Sequence, residues 1–265
     1  MRAALVLTGH LRDTCETSAG VAIVKWHATA CQTQFDGLCD IFLYTWDRLD
    51  KGVEFMGTGR RCTAYCHQTI QQHNTSAWSC VANLTATIAT IAAVAVERQD
   101  RIPGKDVTWM NQSIRSFRMN TAAMIGGIDL MTRHAAAMNH TYSAIVRMRA
   151  DVGCRKMRGR PDFREQFLDA AGWGRVRERA MQVQHSSTLS RQRLAKELFL
   201  CDRPRKKRPD FCFWSAPTAP VLKVMEHFRG GAFDQFTHPP STISHLPDCP
   251  RYLDKIRFPV FVESL

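Results

Sequence analysis

What this chain lacks narrows its function first. It has no apolar run approaching the roughly 18 residues of a membrane-spanning helix, so no transmembrane segment is expected. It has no GxxxxGK after its first apolar run: TGHLRDT carries a single glycine, which removes the P-loop phosphate cradle and disfavours a sulfotransferase-like reading. The start, MRAALVLTGH, has no long apolar region and no small-residue cleavage site. It therefore reads as a first strand, and the expectation is a cytoplasmic protein or a secretory-pathway fragment separated from its anchor. Asparagine is scarce, with five in all, yet Asn74, Asn83, Asn111 and Asn139 each open an N-x-Ser/Thr triplet, which leans toward a secretory history. Asn139 lies just before an expected core strand, where a glycan should fit poorly.

Acidic residues are outnumbered. With 36 Lys and Arg against 24 Asp and Glu, the formal charge is +12, which favours an anionic partner. The ten cysteines follow no framework spacing. Cys62, Cys66, His67 and His73 invite a zinc reading, but no second CxxC completes a finger, and free thiols or a loop disulfide are the expectation there.

What is present is an alternation of strand-like and helix-like segments. AALVLTG (3–9) and DIFLYTWD (40–47) are rich in β-formers, as are IAAVAVE (91–97) and SAIVRMR (143–149). Helical patterning covers 14–32 and 110–138. Residues 161–171 read as a short helix, PDFCFWSAP (209–217) as a strand or turn leading into a helix over 219–228, and IRFPVFVE (256–263) as a last strand. Strand and helix in turn predict an α/β protein with a mainly parallel sheet covered by helices on both faces, where ligands bind beyond the carboxyl ends of the strands.

The run SAIVRMRADVG sharpens that expectation. Along a strand, Arg147, Arg149 and Asp151 share one face, and Val146, Met148 and Ala150 the other. Three charges on one face belong either to an ion-pair cluster or to a strand end that opens into a polar cleft.

Several segments in order carry a resemblance. The first strand ends Gly9-His10-Leu11-Arg12, the second reads Cys-Asp-Ile-Phe-Leu-Tyr-Thr-Trp-Asp from Cys39, and the fourth reads Arg147-Met-Arg149-Ala-Asp151. Together, over residues 3 to about 152, they resemble a group of GT-A-like glycosyltransferases of algae, large algal viruses and bacterial polysaccharide loci, whose segments read G-H-x-R, D-[IV]-F-x-x-T-W and R-x-R-x-D. A weaker likeness covers Asp210-Phe-Cys-Phe-Trp-Ser.

The resemblance implies a single GT-A-like, Rossmann-related domain over 1–265. Residues 1–152 would form the nucleotide-sugar half and 153–265 the acceptor half. It implies transfer of a hexosyl or pentosyl group from a nucleotide-sugar donor to a glycan or protein acceptor, with Mn²⁺ or Mg²⁺ as the metal such sites use. Gly9, His10, Arg12, Asp47, Arg147 and Arg149 would meet the donor diphosphate and nucleotide. Asp151 would be catalytic and the metal ligand, and Asp210 the acceptor-side acid or base. Here Arg149 stands where the first carboxylate of a D-x-D motif is expected, so a metal on Asp151 would rest on phosphates and water. Thr237-His238-Pro239-Pro240 likewise replaces a His-Pro-Glu. These losses keep a catalytically silent relative as an alternative. A basic nucleic-acid binder using RPRKKR (203–208) is the other, but only Phe163, Phe167 and Trp173 lie among the arginines of 155–179, too few for a base-stacking surface.

Overall fold

The computed structural model describes residues 1–15, 18–49, 76–101, 109–150, 168, 170–187, 199–200 and 212–229. The expected helix at 161–171 falls mostly outside the described residues, and so do the last strand at 256–263, the RPRKKR run and the Cys62, Cys66, His67 and His73 group.

Six strands of the described residues form one sheet: β1 (Ala3–Thr8), β2 (Cys39–Trp46), β3 (Ile91–Glu97), β4 (Ala144–Arg149), β5 (Phe199–Leu200) and β6 (Cys212–Ser215), in spatial order β3-β2-β1-β4-β6-β5. The pairs β1–β2, β1–β4 and β2–β3 are parallel, whereas β6 runs antiparallel to β4 and to β5. The strands expected over 3–9, 40–47, 91–97 and 143–149 are the four parallel ones, within a residue or so of their expected limits, and β6 falls within 209–217, read as a strand or turn. Their near-continuous apolar character suits strands covered on both faces.

Among the described residues five α-helices cover the sheet: α1 (Ser18–Gln34), α2 (Trp78–Thr87), α3 (Trp109–Ala137), α4 (Ala170–His185) and α5 (Ala219–Arg229). Because side chains alternate along a strand, each strand feeds two separate cores. Ala3, Leu5, Leu7, Ile41, Leu43, Val146 and Met148 pack with Val24, Ala28, Leu84, Trp173 and Val176 of α1, α2 and α4. Ala4, Val6, Phe42 and Ile145 pack on the other side with Met124, Ile128 and Met131 of α3 and Val221 and Met225 of α5. Two positions let α3 lie close to the sheet. A Cβ on Gly126 would sit 2.3 Å from the Tyr44 ring, and one on Gly127 2.5 Å from Thr8 Cγ2.

Two disulfides fasten the first of these layers. Cys15–Cys80 ties the 3-10 turn after β1 (Arg12–Cys15) to α2, and Cys31–Cys39 ties the end of α1 to the start of β2. Cys212 is also disulfide-bonded. Bonds of this kind persist in oxidising compartments. They agree with the triplets at Asn83 and Asn139, both exposed. Asn139 corrects the expectation of a poor glycan site: it occupies a surface turn with φ 50°, after α3 has ended and clear of β4. Among the described residues no helix is long and apolar enough to cross a membrane.

Candidate functional site

The sheet order reverses at β1, which has β2 on one side and β4 on the other. Such a reversal leaves a crevice beyond the carboxyl ends of the two diverging strands, and nucleotides bind there in open α/β sheets. The segments that border it here are Thr8–Gly9–His10, Trp46–Asp47, Glu97 and Arg149–Ala150.

Gly9 takes φ +97°, a conformation that side-chain-bearing residues rarely adopt. Its N–H donates to Tyr44 O at 3.0 Å, prolonging the β1–β2 pairing by one residue. Among the described residues nothing lies within 4 Å of where its Cβ would stand, so a ligand can approach the backbone closely. The chain then turns back over β4. Ala150 N–H donates to Thr8 O at 3.0 Å, and the buried Thr14 hydroxyl donates to Ala150 O at 2.9 Å. Residues 8–14 and 149–150, far apart in sequence, are thereby fastened side by side. Asp151, the next residue, lies outside the described residues, as does Asp210.

His10 is half-buried, with Nδ1 3.5 Å from Arg48 O and its ring 6.2 Å from that of Trp46. Arg12 opens the 3-10 turn, and its side chain is outside the described set. Asp47 is held on three sides: its N–H donates to Glu97 O, its carbonyl accepts from Ala77 N–H, and Oδ1 accepts from Gln99 N–H at 2.9 Å. That carboxylate caps the turn after β3, which uses one of its oxygens and leaves the other for solvent or ligand.

The two arginines of β4 part company. They share a face, as alternation requires, with Val146, Met148 and Ala150 in the opposite core. Arg149 stands beside Thr8 in the β1–β4 register and is partly exposed. Arg147 is fully buried. Its Nε donates to Thr8 Oγ1 at 2.8 Å, its Nη2 to Asn120 Oδ1 of α3 at 2.9 Å, and the guanidinium lies 5.7 Å from the centre of the Phe213 ring. Arg147 is thereby tied to β1 and α3 at the crevice end of the sheet, where buried hydrogen-bond partners serve its guanidinium.

Sequence reasoning missed Thr8, Thr14 and Asn120, small polar residues whose importance comes from distant partners. It also missed Tyr44, whose phenol is pushed well above the usual range by burial and then by its hydrogen bond to the Glu97 carboxylate. At this end of the sheet, no three metal-ligating side chains converge among the described residues.

No family model, curated protein or solved structure matches this chain.

Proposed function

We propose that the protein is a glycosyltransferase of GT-A-like fold, moving a sugar from a nucleotide-sugar donor to a glycan or protein acceptor. One observation carries the reading. The Gly-His-x-Arg segment and the Arg-x-Arg-x-Asp segment, chosen for their resemblance to such enzymes, meet at the reversal point of the sheet through the Ala150 N–H to Thr8 O hydrogen bond. That crevice is where an α/β sheet takes a nucleotide.

In this reading Gly9 lets the donor approach the backbone, and His10, Arg12 and Arg149 face the diphosphate, with guanidinium groups doing part of the work of a divalent cation. Arg147 acts as a positioning residue, holding Thr8 and β4 against α3. In the transfer, the bond from the anomeric carbon to the diphosphate oxygen breaks with its electrons leaving on the diphosphate. The acceptor hydroxyl oxygen bonds to that carbon, and its proton passes to a carboxylate, for which Asp210 is the proposed base. Asp151 would hold the donor's hydroxyls or a Mn²⁺ or Mg²⁺ ion, which would supply charge neutralisation for the leaving diphosphate. The disulfides and exposed glycosylation triplets fit a protein that works on secretory-pathway glycans.

A thermal-shift series with UDP-, GDP- and CMP-sugars, each with and without Mn²⁺, tests the donor site, because a ligand that binds only the native state raises its apparent stability. A shift with one nucleotide class, lost in Arg149→Ala, is the expected result; no shift with any of them overturns the proposal. Transfer should then fall about a hundredfold in Asp151→Asn, the scale of a lost transition-state contact. Donor binding with no transfer to any acceptor would identify the silent relative.

A further inference from the structure

The sheet's opposite end carries a second constellation, about 20 Å from the crevice at roughly 3.3 Å per strand residue. Asp40 is the second residue of β2, and His134 lies in the last turn of α3. The helix then closes on itself: Met138 N–H donates to His134 O, Asn139 N–H to Ala136 O, and His140 N–H to Ala135 O at 3.0 Å. With Asn139 at φ 50°, this return brings His140 back toward His134, their ring centres 5.9 Å apart.

We propose that Asp40, His134 and His140 form a zinc site. One ligand atom from each lies within 4.8 Å of the other two, and all three residues are partly buried. His140 Nε2 is buried and has no hydrogen-bond partner among the described residues, yet stands 3.4 Å from Asp40 Oδ2. That gap is long for a charge-assisted hydrogen bond, which closes to about 2.8 Å. It matches the roughly 3.3 Å between two ligand atoms that each lie about 2.05 Å from a tetrahedral Zn²⁺.

The surroundings suit a ligand carboxylate. Tyr142 O–H donates to Asp40 Oδ2 at 2.7 Å, and Arg2 Nη1 donates to both carboxylate oxygens at 3.0 Å. Partners of this kind fix a carboxylate's orientation and are the usual outer layer of a metal centre. Two imidazoles select Zn²⁺ over Mg²⁺ or Ca²⁺, which take oxygen ligands. Three protein ligands leave a fourth position for water or a partner's side chain. The ion would fasten the start of β2 to the end of α3 and to the lead into β4.

The test uses the full chain, stripped with a chelator and titrated calorimetrically with Zn²⁺, with Mg²⁺ as control. One Zn²⁺ per chain is expected, with affinity falling at least about tenfold in His134→Gln and in His140→Asn. Both variants should keep the metal-free protein's circular dichroism. Substitution with Co²⁺ should give the visible bands of a tetrahedral ion with no thiolate charge-transfer band, and these bands should vanish in the double variant. No Zn²⁺ uptake by the wild-type chain overturns the proposal. So does uptake that survives the double variant but is lost in Cys62→Ser/Cys66→Ser.

Discussion

The two faces of the sheet are built differently. Under α1, α2 and α4 the packing is almost wholly apolar, and disulfides lock it to both ends of the neighbouring strands. Under α3 and α5 the sheet carries a buried guanidinium and the buried hydroxyl of Thr8, with a helix brought close enough by Gly126 and Gly127 to touch Tyr44 and Thr8. Covalent bonds and apolar area stabilise the first face, and one of those bonds, Cys15–Cys80, also anchors the turn that carries Arg12 and Thr14 beside the crevice. The second face spends hydrogen bonds on fixing Thr8 and β4, the residues immediately under the crevice. The two sides of one sheet therefore support the crevice by different means, a disulfide on one and hydrogen bonds on the other.

The largest expected effect is on the stapled face. Cys15 and Cys80 are 65 residues apart, and opening a loop of that length should cost about 4 kcal/mol of stability in Cys15→Ser/Cys80→Ser. Urea unfolding measures it. A loss below about 1 kcal/mol would show that the apolar packing alone holds this face.

The same face should respond to acid through His27, which is 2% exposed and receives the Trp173 Nε1–H of α4 on its Nδ1. Burial lowers its pKa from 6.5 to about 4. The folded protein therefore keeps His27 neutral at pH values where the unfolded chain binds a proton. Stability is complete above about pH 6.5 and drains away as pH falls toward 4, by roughly 3 kcal/mol for this group. Unfolding of His27→Gln between pH 7 and pH 4 should lack that component. Parallel pH profiles for the variant and the wild type would falsify the assignment.

On the polar face, Arg147→Met should cost about 2 kcal/mol, because Thr8 Oγ1 and Asn120 Oδ1 lose their donor. Donor affinity should also weaken, since the floor of the crevice shifts. If stability falls while nucleotide-sugar binding is untouched, this face is scaffold like the other. The smallest effect belongs to Asp47→Asn. Its amide oxygen still caps Gln99 N–H, so thermal unfolding should change by less than about 1 kcal/mol, and any large change in donor binding would then report a ligand contact.

The parallel strands were legible because a strand covered on both sides must be apolar almost throughout, and α3 was legible from its 3.6-residue spacing. Helix α2 was not. Trp78–Thr87 has no side-chain cap at Ala77 and no acidic residue in its first turn, and what holds it is the burial of Cys80, Val81 and Leu84 together with a disulfide to a distant turn. Cysteine spacing does not encode such pairing. The two-residue strand β5 was similarly obscure, being too short for a period to register, whereas β6 falls within 209–217, read as a strand or turn. In the site, alternation correctly put Arg147 and Arg149 on one face but could not say that α3 would meet the first of them with Asn120. Depth within a crevice is a tertiary property.

The asymmetry of the sheet's borders has a practical consequence for handling the protein. One border is β5, two residues long, and offers little for another chain to add to. The other is β3, seven residues reading IAAVAVE, whose sole charge comes at its end and whose described pairing is to β2 alone. Beyond the register shift near Ala92, an apolar border of that length is a template for intermolecular β-addition. Concentrated or gently warmed samples should clump through this strand first.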